Sequence, residues 1–172
     1  SKLSFNYIHM TNKEFFLKTL EEERMKFRNV IEALPDDKFT YKVHDRSREA
    51  GNLAAQLAVQ WEAISGIATK GMPAFDAHSM ELAGKSKQDL LKTFDTGFEQ
   101  LKKDVTAVAD MNWENDMAML DMGPAGKWED KKYNMAWGFL FDAIHHRGQL
   151  STYLRAMGAK VPSIYGPSAD TK

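Results

Sequence analysis

The segment FDAIHHRGQL, residues 141–150, places one acid and two adjacent histidines in a stretch that otherwise has the pattern of a buried helix. Asp142 and His146 are four positions apart, so they lie on one side of a helix, about one turn from each other. Both fall within the apolar stripe of this helix, which is formed by Met135, Phe139, Leu150, Tyr153 and Met157. Burying a charged group without a partner costs on the order of several kcal/mol. The pair therefore needs a chemical or a structural reason.

Two interpretations of Asp142 and His146 are open at this point. A carboxylate and an imidazole at this spacing can hold one divalent ion from a single helix, as part of a metal or catalytic site. Alternatively, the two side chains hydrogen-bond to each other and fix the packing of the helix, since polar groups in protein cores are usually satisfied in this way.

A second polar pair, Gln56 and Gln60, has the same spacing in an earlier helical segment. If that segment faces the first one, Gln56, Asp142 and His146 converge in one polar pocket in the core. Gln60 and His145 are then expected at the margin of the pocket. His145 lies about 100° from the centre of its stripe, where it can point to a neighbouring helix, a subunit interface or a cleft. The alternative is structural: glutamine is a good helix former, and the two residues then lie at a solvent-exposed edge of the bundle.

The helical period predicts the elements that must position these residues. Apolar residues recur at spacings of three and four in four segments, approximately 11–34, 47–69, 86–109 and 132–157. Thr11 and Glu14 suit the start of the first helix. Residues 110–131 contain the turn signal GPAG, which allows one short hairpin there. We therefore predict an all-α protein, with residues 1–172 forming a single antiparallel four-helix bundle in either a simple or a crossed order.

Composition narrows the classes of function. The 23 basic and 24 acidic residues give a formal net charge of −1, which offers no basic excess for a nucleic-acid backbone. The absence of cysteine excludes disulfides, thiolate metal ligands and a cysteine nucleophile. Neither a signal-peptide pattern nor a membrane-spanning apolar run is visible in the sequence. We expect a cytoplasmic protein that binds neither nucleic acid nor membrane.

Two stretches resemble the DinB/YfiT-like superfamily of bacterial, damage-inducible proteins. Residues 142–168, DAIHHRGQLSTYLRAMGAKVPSIYGPS, are similar to the motif of that family's last helix, with HHRGQ at 145–149. Residues 47–67, SREAGNLAAQLAVQWEAISGI, resemble its second helix. The resemblance implies a four-helix bundle, a homodimer, and three histidines around a divalent ion such as zinc, nickel or manganese. Characterised members are implied to be thiol-dependent transferases and isomerases.

The implied metal ligands are only partly present in this sequence. His146 stands at the position of the second histidine of the last helix, whereas Asp142 and Gln56 replace the other two histidines. Aspartate is a competent ligand, but a neutral amide is a poor one for zinc or nickel.

Two hypotheses of function follow. The chain is a divalent-metal-dependent enzyme, of thiol-dependent transferase or hydrolase type, with Gln56, Asp142 and His146 at the metal. In that case Asp142 or His145 shuttles protons. Alternatively, it is a non-catalytic, stress-linked binding or scaffold bundle with a degenerate site for an unknown small molecule.

Overall fold

The computed structural model describes residues 9–74 and 86–171 of the chain. Its elements, in chain order, are α1 (Asn12–Glu32), α2 (Ala50–Lys70), α3 (Lys87–Ala107), α4 (Asp110–Asn115), β1 (Met117–Asp121), β2 (Lys127–Lys131) and α5 (Lys132–Ala156). The long helices α1, α2, α3 and α5 correspond to the four predicted segments, which confirms the prediction of a helical bundle.

The ends of the long helices follow local chemistry. At the start of α1, the Thr11 hydroxyl accepts a hydrogen bond from the Glu14 amide, and the Glu14 carboxylate accepts one from the Thr11 amide. Ser86 and Asp89 make the same reciprocal pair at α3. The start of α2 has no side-chain cap, and the helix begins at residue 50 rather than 47. Because no capping side chain accepts a hydrogen bond from the first backbone amides of α2, no local contact fixes the start of this helix at residue 47.

The long helices pack in a crossed order. Helix α2 packs mainly against α3 and α5, and α1 packs against the same two helices, so α1 and α2 occupy opposite corners of the bundle. This result selects between the two orders that the sequence left open. It also makes α2 and α5 neighbours, which is the condition for Gln56 to approach Asp142.

Aromatic side chains fill the centre of the bundle. The Trp61 ring on α2 lies 4.9 Å from Phe27, 5.5 Å from Phe94 and 5.1 Å from Phe98, measured between ring centroids. All four residues are fully buried. Such edge-to-face contacts add to the burial of apolar surface and hold α1, α2 and α3 together. Within residues 9–74 and 86–171, no helix is both long and apolar enough to cross a membrane.

The segment between α3 and α5 closes one side of the bundle. Strands β1 and β2 pair antiparallel, with Leu120 opposite Trp128, which confirms the predicted hairpin. The short helix α4 was not predicted. It buries Trp113, whose indole donates a 3.0 Å hydrogen bond to Asn12 Oδ1 on α1.

Candidate functional site

Asp142 and His146 lie one turn apart on α5 and contact each other directly. The distance from His146 Nδ1 to Asp142 Oδ2 is 3.3 Å, and the distance from Nδ1 to the Asp142 backbone oxygen is 2.8 Å. The Asp142 side chain is 47% exposed and the His146 side chain 15% exposed. The pair therefore lies at an open margin of the bundle, and our prediction that both side chains point into the core is wrong for Asp142.

The error has a clear origin on α5. The buried side of this helix passes through Ala143 and Arg147, one position after each predicted residue. An arginine is seldom buried, so a stripe read from apolar residues alone excludes it. Arg147 itself is only 1% exposed.

Arg147 is buried because its charge is compensated. Its guanidinium donates to Glu23 Oε2 at 2.5 Å and to the Tyr165 hydroxyl at 2.7 Å. It also lies 4.5 Å from the Phe27 ring centroid, where a cation–π contact is favourable. Burial opposes ionisation of Glu23, but hydrogen bonds from Lys26, Arg147 and Tyr165 lower the pKa of its carboxyl below the ordinary value. We name Glu23, Arg147 and Tyr165 the closed cluster.

Helix α2 brings two amides to the exposed pair. Gln56 Nε2 lies 3.3 Å from Asp142 Oδ2 and 3.4 Å from His146 Nδ1. Gln60 Nε2 donates to the Phe139 backbone oxygen at 3.0 Å and lies 3.4 Å from Asp142 Oδ2. The structure thus places Gln56, Gln60, Asp142 and His146 together. Gln60 is 4% exposed and is the deepest of the four, rather than a residue of the margin.

His145 is placed outside this network of hydrogen bonds. The residue is exposed, and its ring lies edge-on to His146 with centroids 5.2 Å apart. It is therefore positioned to exchange with solvent beside the site, while its predicted catalytic role stays a prediction.

Arg48 is a site residue that the sequence analysis missed. It precedes α2, and its Nη1 donates a hydrogen bond to Gln56 Oε1. A guanidinium has only donors, so the amide atom facing it must be the oxygen. The amide nitrogen of Gln56 consequently points toward Asp142 and His146. The Arg48 backbone oxygen accepts a 3.0 Å hydrogen bond from the Tyr153 hydroxyl, which attaches this loop to α5. No local pattern in the sequence indicates this contact.

The donor set does not fit the three-ligand site that the resemblance implies. A metal ligand must present a lone pair, yet Gln56 presents its NH₂ group to Asp142 and uses its oxygen for Arg48. The Arg48 cation beside the amide also opposes the binding of a divalent cation. Consistent with this, the described part of the chain contains no cluster of three histidine, aspartate or glutamate side chains arranged to hold a metal ion.

Comparison with known proteins identifies the family of the chain. None of the curated proteins is significantly similar to the chain. A DinB-like protein from Bacillus cereus has a similar structure, with a TM-score of 0.71 and 15% identity over 88% of this chain and 97% of the other. The DinB-like protein YjoA from Bacillus subtilis is similar with a TM-score of 0.65 and 16% identity, covering 87% and 96% of the two chains. The sequence model of the DinB family matches residues 10–171, and the chain belongs to that family.

Proposed function

We propose that this DinB-family protein is a cytoplasmic bundle that binds a small molecule at Gln56, Asp142 and His146 without a tightly bound divalent ion. The observation that carries the proposal is the hydrogen bond from Arg48 to Gln56, because it orients the Gln56 amide with its NH₂ group pointing into the site. In place of a metal ligand, the site has a hydrogen-bond donor at this position.

The remaining groups are suited to hydrogen bonding with a ligand. The Asp142 carboxylate is half exposed and can accept further hydrogen bonds from a bound molecule. His146 Nδ1 lies 2.8 Å from the Asp142 backbone oxygen, which favours a proton on Nδ1 and leaves the lone pair on Nε2. A molecule that enters between α2 and α5 therefore meets both donors and acceptors.

Metal content is the direct test. We expect protein purified without chelator or metal-affinity chromatography to contain far less than one equivalent of zinc, nickel or manganese. Addition of each ion should leave the Tm unchanged, since only a ligand that binds the folded state raises it. A double variant, Gln56→His with Asp142→His, restores the three histidines that the resemblance implies and should gain a Tm increase with zinc or nickel.

One result would overturn the proposal in favour of the metal-dependent enzyme. If the wild type carries about one equivalent of metal, and if added metal raises its Tm but not that of His146→Ala, the site is a metal centre. The transferase or hydrolase hypothesis would then be the better one.

We further propose that the chain forms a homodimer through aromatic residues of α1 and α5. Phe15 is 51% and Phe141 60% exposed, and Trp137 lies between them at ring distances of 5.5 and 5.8 Å. Exposed aromatic groups of this kind are typical of protein interfaces. Light scattering should give about twice the monomer mass of 19.5 kDa for the wild type, and the monomer mass for Phe141→Glu. A wild-type mass of one monomer at micromolar concentration would contradict the proposal.

A further inference from the structure

The side of α5 that carries Asp142 is covered at both ends and open in the middle. Met135 and Tyr153 point to this side from the two ends of the helix and are buried. Between them, Asp142, His145 and Gln149 are exposed. The open part is bordered by α2 through Gln56 and Gln60. We call it the polar cleft.

Trp128 on β2 forms one end of the polar cleft. Its ring is nearly parallel to that of Phe139, at an interplanar angle of 3° and a centroid distance of 6.4 Å. A β-carbon at position 138 would lie 2.8 Å from Trp128 Cη2, so glycine at this position allows the indole to rest on α5. Gly138 precedes Asp142 by four residues, which corresponds to about 6 Å along the helix. A partly exposed indole therefore lies one turn from the carboxylate.

Arg48 forms the other end of the polar cleft. Its guanidinium donates to Gln56 Oε1 and, at 3.4 Å, to the Asn52 backbone oxygen, and both of these acceptors are neutral. Within residues 9–74 and 86–171, Arg48 has no ion pair with a carboxylate, whereas four other arginines do. Those four are Arg24, Arg28, Arg147 and Arg155. An arginine whose acceptors are all neutral, and which is exposed, is able to bind an anion.

We propose that the polar cleft binds an organic acid with a planar aromatic ring, with the acid group on Arg48 and the ring on Trp128. Gly138, on which Trp128 rests, and His146, which Gln56 connects to Arg48, are about 12 Å apart along the helix. This separation fits a fused ring system that carries a short acidic side chain. The charge on Asp142 repels an acid group in the middle of the cleft and so favours this orientation. The proposal rests on the hydrogen-bonding role proposed above for the same site.

Three probes separate the contributions of charge and ring. We would titrate metal-free protein by isothermal calorimetry with 2-naphthaleneacetate, with its neutral amide 2-naphthaleneacetamide, and with acetate. A charge-assisted hydrogen bond to arginine is stronger than a neutral one, so the acid should bind about tenfold more tightly than the amide. Acetate lacks the ring and should bind at least about tenfold more weakly than the naphthalene acid.

Matched variants assign the two contacts to residues. Arg48→Gln should abolish the preference for the acid over the amide, whereas Arg46→Gln, two positions earlier on the same exposed loop, should retain it. Trp128→Leu should weaken binding of the acid and of the amide by the same factor. Phe15→Leu removes an exposed aromatic ring of the proposed dimer surface, outside the cleft, and should change neither affinity when light scattering gives the wild-type mass. Circular dichroism of each variant checks the fold. If Trp128→Leu does not fold, Arg48→Gln still tests the proposal, because Arg48 is exposed.

The outcomes that overturn this inference differ from those that overturn the proposed function. Absence of binding by the naphthalene acid, equal affinity for acid and amide, or an equal effect of Arg46→Gln and Arg48→Gln would each rule out the ligand class. A full equivalent of metal in the purified protein would instead remove the proposed function on which the class rests.

Discussion

The closed cluster and the polar cleft meet on α5 at the adjacent residues Arg147 and His146, yet their polar groups form hydrogen bonds to different degrees. Arg147 is 1% exposed and its guanidinium contacts both Glu23 and Tyr165. In the cleft, the Asp142 side chain is 47% exposed. Its Oδ2 atom lies 3.3 Å from the amide nitrogen of Gln56 and 3.4 Å from that of Gln60. Buried groups whose hydrogen bonds are all formed stabilise the fold, whereas exposed groups with unused donors or acceptors are available to bind a ligand.

The HHRGQ segment therefore has two roles. His145 and His146 face the cleft, while Arg147 holds α5 against α1 and against the C-terminal segment through Tyr165. Among the buried side-chain nitrogen and oxygen atoms of the described residues, only Trp61 Nε1 lacks a hydrogen-bond partner. The closed cluster has no unsatisfied atom of this kind, which supports a structural role for the arginine of the motif.

Removal of Glu23 should have the largest effect on stability. Glu23→Ala leaves the Arg147 charge buried without a carboxylate, and the loss of one partner from a buried ion pair costs about 3–5 kcal/mol. Urea unfolding followed by circular dichroism would measure the change. Glu22→Ala is the matched control, because Glu22 forms an exposed pair with Lys18 and should change the stability by less than about 1 kcal/mol. Equal effects of the two substitutions would remove the distinction between the clusters.

The closed cluster should also make the protein sensitive to acid. The pKa of Glu23 is lowered in the folded protein from the ordinary value of 4.5, so its contribution is complete above that value. Stability should fall as the pH decreases through the folded pKa, since the carboxyl must then take up a proton that it binds less readily than in the unfolded chain. The Tm of Glu23→Gln should depend less on pH below about 4.5 than that of the wild type. Parallel curves would contradict the assignment to Glu23.

Removal of the Tyr165 hydroxyl tests a peripheral member of the closed cluster. The hydroxyl donates to Glu23 Oε2 at 2.9 Å and accepts from Arg147 at 2.7 Å. Tyr165→Phe keeps the ring 5.1 Å from the Arg147 guanidinium and should cost about 1–2 kcal/mol in unfolding free energy. If the C-terminal segment were not held on the bundle in solution, this substitution would have no measurable effect.

The smallest effect is expected in the polar cleft. Asp142→Ala should cost about 1 kcal/mol or less, because the carboxylate is half exposed and Gln60 keeps its hydrogen bond to the Phe139 backbone oxygen. Asp142→Asn, which retains an acceptor, should be closer still to the wild type. Loss of more than about 2 kcal/mol, measured by urea unfolding, would mean that Asp142 is part of the core after all.

Much of the fold is determined by patterns that are local in the sequence. Apolar residues at spacings of three and four define the long helices, since this period places them on one side of a helix whatever the helix packs against. The capping residues Thr11 and Ser86 mark the starts of α1 and α3 because their contacts reach only three residues along the chain. The same local logic indicated the hairpin, through the turn signal GPAG.

The closeness of Gln56, Asp142 and His146 was expected from spacing, but their exposure was decided by the tertiary structure. Arg147 takes a buried position on α5 only because Glu23, 124 residues earlier, compensates its charge. The buried side of α5 runs through Ala143 and Arg147, one position after each predicted residue, and leaves Asp142 at the open margin. Likewise, Arg48 determines the orientation of the Gln56 amide from a loop that packs on Tyr153. Contacts between distant segments depend on how the helices cross, and no local period in the sequence records them.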